Sequence, residues 1–187
     1  MHKGHLAALS LAATGSLLGC ASTTVEITGD ALKQPICRTG SVPLTAAVLW
    51  TTRWRPDQKE PALREAAALR GIEEFTGKTS CLSITRIERL AEPTDDGELR
   101  RLAGSPDRIV LIVVRELGPK LTIGIPAIVE GGTEVVVDVR VLRSSEALAS
   151  SQTHWWNGGT FVIKGVKSLD HDMSEALTST LLPKPAD

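Results

Sequence analysis

Arg108-Ile109-Val110-Leu111-Ile112-Val113-Val114-Arg115 is the most strand-like run in the chain. Side chains alternate across a strand, so six consecutive apolar residues, most of them β-branched, need cover on both faces. The run predicts a central strand of a sheet, and the neighbouring segments can be placed around it. Upstream, Val42 to Thr51 is apolar almost throughout and reads as a second buried strand, with Trp50 and Trp54 at its end. The stretch after Pro61 is helical: Leu69, Ile72 and Phe75 share one face, with Arg70, Glu73 and Glu74 opposite. Two starts suit this helix, a capping box of Asp57 with Glu60 or Pro61 at the first helical position. Gly77 is the expected stop. Cys81 to Arg89 reads as a strand whose alternation slips once between Ile84 and Ile87. Asp95-Asp96 then caps a short helix through Leu99 and Leu102, closed by Gly104.

Downstream, Leu121, Ile123 and Ile125 alternate with Thr122 and Gly124, and Glu130-Gly131-Gly132-Thr133 reads as a hairpin turn. Val135, Val137, Val139 and Val141 face one way, Asp138 and Arg140 the other. Ser144 to Ala147 is a second turn, and Ala149 to Trp156 the returning strand. Ser168 opens a last helix striped by Leu169, Met173, Ala176, Leu177 and Leu181, with Asp170 and Asp172 in its dipole-favoured first turn; Pro183 and Pro185 end it. The expected class is α/β (α+β): a mixed, mostly antiparallel sheet packed by two main helices and one short helix, in a single domain over residues 42–182 with a tail at 183–187.

The start of the chain concerns location. Met1 to His5 is short and basic, Leu6 to Leu18 is apolar, and Leu17-Leu18-Gly19-Cys20 follows. That layout is a secretory signal peptide over residues 1–19, too short to span a bilayer as a permanent helix. Leu17-Leu18-Gly19-Cys20 resembles the bacterial lipobox. The resemblance implies cleavage before Cys20, acylation of Cys20, and a membrane partner reached through its acyl chains. By the sorting rule of Gram-negative lipoproteins, Ala21 after the cysteine implies the periplasmic face of the outer membrane. Residues 20–41 then read as a lipidated tether, with a short edge strand around Val25 and Ile27. Once Cys20 is acylated, Cys37 and Cys81 remain, and in an exported protein an even remainder reads as a disulfide. Two buried thiols, or half of a metal site, are the other readings.

The composition narrows the partners. Lys and Arg total 21 against 22 Asp and Glu, a formal net charge of −1. The leader carries Lys3 and no acid, so the remainder is one unit more negative. With no basic block, nucleic acid is not an expected partner.

Asp138-Val139-Arg140-Val141-Leu142-Arg143-Ser144-Ser145-Glu146-Ala147-Leu148-Ala149-Ser150-Ser151 is similar to the strand–turn–strand of periplasmic lipoproteins with a TolB-N-terminal-like domain, such as penicillin-binding-protein activators and the curli-secretion lipoprotein. Asn157-Gly158-Gly159-Thr160-Phe161 and the helix after it fit the closing segment of those families, although Ser144-Ser145-Glu146 stands where they often carry a glycine. The resemblance implies a lipid-anchored accessory or assembly domain with an envelope protein partner, rather than an enzyme.

His154-Trp155-Trp156-Asn157-Gly158-Gly159 is the most conspicuous polar-aromatic cluster. On a strand His154 and Trp156 face one side and Trp155 the other, so one indole packs in the core and its neighbour can offer a platform to a sugar ring, peptide or protein. In a chain with no Tyr and two Phe, the plain alternative is that both indoles only cover the sheet. Trp54 and Arg55, with Asp57, lie at the end of a buried strand, where open sheets place ligands; an ordinary strand-to-helix loop is the competing reading. Asp170-His171-Asp172 cannot converge on one ion, because consecutive helical residues point about 100° apart. No nucleophile elbow, phosphate loop or paired carboxylate stands out. The expectation is no catalytic residue, no metal and no cofactor. A small-molecule or glycan-binding module using Trp155 and Trp156, and a hydrolase with a dispersed site beside His154 or His171, are the alternatives. Oligomeric state is not legible.

Overall fold

A computed structural model of the chain describes residues 21–38, 40–124, 129–143 and 146–182. The leader, Cys20, Ile125, the Ser144-Ser145 turn and the closing prolines lie outside them. The elements run β1 (Ser22–Asp30), β2 (Leu44–Thr52), α1 (Pro61–Lys78), β3 (Leu82–Arg89), α2 (Asp96–Ala103), β4 (Arg108–Ile123), β5 (Val129–Arg143), β6 (Glu146–Thr160) and α3 (Leu169–Leu181), with a single 3₁₀ turn at Val166–Ser168. The strands form one sheet in the order β1-β6-β5-β4-β2-β3. β3, β2 and β4 are parallel to one another, and the β4–β5, β5–β6 and β6–β1 pairs are antiparallel. The fold is α+β with a mixed sheet, as the patterning predicts.

The parallel half explains the two-sided cover. From β2 the chain steps outward to β3 through α1, then returns past β2 to β4 through α2. Crossovers of one hand in opposite directions place their helices on opposite faces. Accordingly Val48, Trp50, Val110, Ile112 and Val114 join the core under α1 and α3. Leu49, Ile109, Leu111 and Val113 instead pack with Leu99 of α2. The 108–115 run is therefore covered on both faces because two helices flank it. Between Ile84 and Arg86 the β2–β3 register shifts by one residue, which is the slip visible in the sequence.

Several expectations change. Ser22–Asp30 is not a tether with a short edge strand; it is a nine-residue edge strand paired with β6 along its whole length. The domain thus begins two residues after Cys20 rather than at residue 42, and Val42 itself is exposed. Glu130 to Thr133 is not a turn but lies within β5, bonded to β4 on one side and β6 on the other. The hairpin connection falls between Ile123 and Val129 instead. Gly158-Gly159 likewise lies within β6. α1 starts at Pro61, with Glu60 at its N-cap in a left-handed conformation, φ 52°, and no side-chain cap; the capping box does not form. The helix also runs past Gly77 to Lys78.

Cys37 and Cys81 form a disulfide, with Cα atoms 5.7 Å apart. It ties the segment before β2 to the start of β3, where Leu44 N donates to Cys81 O, while Ile36 N donates to Leu181 O at the end of α3. Among the described residues no helix is long and apolar enough to cross a membrane.

Candidate functional site

α1 and α3 cover one face of the sheet except at the exposed end of β4, while α2 covers the other face only over β2 and the first half of β4. The remaining face, across β1, β6, β5 and the second half of β4, is open. Strand alternation decides what it shows: Val135, Val137, Val139, Thr153 and Trp155 point to the helices, and the residues between them point out. Register then sets outward neighbours side by side. Glu26 pairs with His154 and His154 with Val136; Thr28 pairs with Gln152 and Gln152 with Asp138.

These side chains engage one another. Glu134 accepts from Lys120 Nζ at 2.6 Å, and its Oε1 lies 2.8 Å from His154 Nε2. Burial works against the charged carboxylate, but the bonds to Lys120 and His154 outweigh it and hold Glu134 below the usual glutamate value. Asp138 accepts from Gln152 Nε2 at 2.8 Å and from Arg115 Nη1 at 3.2 Å. Arg140 reaches across to Asp96 of α2 at 2.9 Å. The Trp156 ring reaches over Gly132 and Gly158, where a Cβ would fall 2.8 Å and 2.5 Å from its Cζ2. The two glycines are what let the indole approach the sheet so closely.

Three adjoining depressions mark this face. One of about 230 Å³ is lined by Glu26, Thr28, Glu134, Val136, Gln152 and His154. A second, of about 370 Å³, lies over Asp138, Arg140 and Ser150. The third, of about 460 Å³, is lined by Arg53, Trp54, Arg55, Arg115, Lys120 and Glu134. Glu134 borders both the first and the third. Beside the third, Arg55 binds Glu116 at 2.9 Å, and Glu116 also holds Arg64 of α1 at 3.3 Å. Arg64 donates to the carbonyls of Lys59 and Leu117 as well. With Gln58 oriented to suit its neighbours, its amide nitrogen donates to Glu116 and its oxygen accepts from Arg64.

The residues singled out from sequence therefore separate. His154 and Trp156 lie on the open face, and Trp54 and Arg55 border its third depression. Trp155 does not join them: at 3% exposure it is a core residue, with Lys164 6.0 Å above its ring on the helix side. It cannot form a platform with Trp156. Asp170, His171 and Asp172 diverge to Arg70, Glu74 and Lys164 respectively. Sequence reasoning missed Glu134, Lys120, Arg64 and Glu116. Arg64 had a signal, because it extends the buried stripe Ala67, Ala68, Gly71, Ile72 and Phe75 by one turn. For Glu134 there was none, since its meeting with His154 depends on cross-strand register.

No family model matches the chain. No curated protein matches it either. Among solved structures, a PelC dodecamer from Paraburkholderia phytofirmans is similar at 12% identity and a TM-score of 0.43, over 87% of this chain and 100% of that one. Protein XCC0632 from Xanthomonas campestris, of the DUF330 family, is similar at 12% identity and 0.34, over 82% and 90%. A PDZ domain protein from Parabacteroides distasonis reaches 9% and 0.29, over 87% of this chain and 36% of that one. Likeness at this level says nothing of what the chain binds or does.

Proposed function

We propose that the protein is a non-enzymatic envelope lipoprotein, anchored through acylated Cys20 at the periplasmic face of the outer membrane. The open face of its sheet would receive a protein partner. The observation that carries the binding role is that half-open face: large, shallow and polar, with the Trp156 indole on it and with Glu134, Asp138 and Arg140 already held in ion pairs. Such a surface meets a partner without leaving buried charges unpaired. The lipobox resemblance and the Cys37–Cys81 disulfide support the exported setting, since disulfides persist in oxidising compartments. The strand–turn–strand likeness to TolB-N-terminal-like lipoproteins points the same way.

The test is mass spectrometry of the protein from its native cell for acyl chains on Cys20, together with photo-crosslinking in envelope fractions. A crosslinker at Gln152 should give one discrete adduct that a crosslinker at Glu73, on the exposed side of α1, does not. Identical patterns from both positions would remove the binding role. The Glu134–His154 pair beside a depression favours a second reading, a hydrolase with a dispersed site. Loss of ester, amide or glycosidic cleavage in His154→Ala would support it, and a wild-type protein inert towards all three would dispose of it.

A further inference from the structure

Four large apolar side chains stand exposed together at one pole of the sheet: Leu121, Ile123, Phe161 and Ile163. Register places them side by side. Ile123 pairs with Val129, whose carbonyl accepts from Phe161 N at 2.7 Å. Leu121 pairs with Gly131 and lies over it, and the Val162 carbonyl approaches the same glycine. Phe161 holds a left-handed backbone, φ 61°, which a bulky side chain rarely adopts. The residue stands at 65% exposure, and Ile163, two residues on, reaches 85%. Nothing in the core is gained by this arrangement, and exposed apolar groups clustered in this way mark a surface that is covered in use.

The chain itself identifies the cover. β1 begins at this pole: Ser22 pairs with Gly158, three residues before Phe161. Ala21 alone separates Ser22 from Cys20, and the two steps of chain can reach at most about 7 Å. A lipid on Cys20 therefore holds the bilayer against this end of the sheet. The opposite pole, with the disulfide and the start of β4, lies roughly 50 Å away along β4. We infer that Leu121, Ile123, Phe161 and Ile163 form a membrane-contact tip seated in the lipid surface beside the anchor, fixing the domain upright with its open face turned sideways. This rests on the lipid-anchor reading of Cys20.

The acylated mature protein, residues 20–187, reconstituted in phosphatidylethanolamine–phosphatidylglycerol vesicles, tests it. Phe161→Trp and Ile163→Trp serve as probes at the tip, and Val42→Trp as the probe at the far pole; all three replace exposed side chains. With brominated acyl chains in the vesicles, the emission added by the two tip probes should be quenched several-fold more than that added at Val42. Tip probes quenched by aqueous iodide but indifferent to bromine, in protein whose Cys20 is acylated, would overturn the inference and leave the anchor standing. Tip emission that shifts to the blue with protein concentration and ignores bromine would assign the tip to a second copy instead, and also overturn it. If Cys20 is unmodified and the protein still floats with vesicles and is quenched at the tip, the contact stands and the anchor reading falls. If it is unmodified and does not float, both fall.

Discussion

Arg64 and Glu116 are almost fully buried opposite charges, and Arg64 also donates from Nε to the Lys59 carbonyl and from Nη1 to the Leu117 carbonyl. A buried pair of this kind punishes the loss of one partner far more than the loss of both. Arg64→Ala should lower stability by about 3 kcal/mol, read from the urea midpoint, because it leaves Glu116 with the Gln58 amide and, as its one cation, the exposed Arg55. The double variant Arg64→Leu with Glu116→Leu should recover most of that loss. Glu134 makes a prediction in pH. Its folded carboxyl titrates below the ordinary glutamate value, so its contribution to stability is complete above about pH 4.3 and is lost as pH falls through the lower folded value. Denaturant midpoints of wild type and Glu134→Gln should differ by a constant amount near neutrality and converge in acid. A difference that grew on acidification would contradict the assignment. At this scale the sequence shows which residues are odd, such as an arginine on a buried stripe, and conceals which partner each one meets.

Helices are where the sequence was most readable. The stripe Leu169, Met173, Ala176, Leu177 and Leu181 is buried in full, and Asp95 caps α2 by accepting from Glu98 N at 2.9 Å. α1 shows what periodicity leaves out. Its buried face is turned away from Leu69 toward Ala67, Ala68 and Gly71, because α3 packs closely there. A Cβ on Gly71 would fall 2.6 Å from both the Asp170 carbonyl oxygen and Met173 Cβ. In an isolated helix Gly71→Ala would add about 1 kcal/mol of stability. Here the collision should prevail and destabilise by roughly 1–3 kcal/mol, seen as a lower melting temperature. Strands were less legible. Glu130-Gly131-Gly132-Thr133 has the composition of a turn, yet β4 and β6 both bond to it and hold it extended. Two-sided hydrogen bonding overrode local preference.

For the whole molecule, the Cys37–Cys81 bond closes a loop that contains all of β2 and α1 and pins the segment leading into the sheet. On the chain-entropy account it stabilises the fold by about 4 kcal/mol. Reduction with the denaturant series repeated should expose a loss of that order, and a Cys37→Ala, Cys81→Ala protein should match the reduced one. The sequence by itself determined the class, the central strand, the helical stripes and the cysteine pair, because each is written in neighbouring residues or in simple counts. Tertiary structure alone decided that residues 22–30 are a sheet edge, that Trp155 turns inward and Trp156 outward over two glycines, and that Glu134 meets His154 and Lys120. It alone gathered Leu121, Ile123, Phe161 and Ile163 beside the start of β1. Those outcomes depend on register between strands distant in sequence, where a shift of one residue exchanges the inner and outer faces.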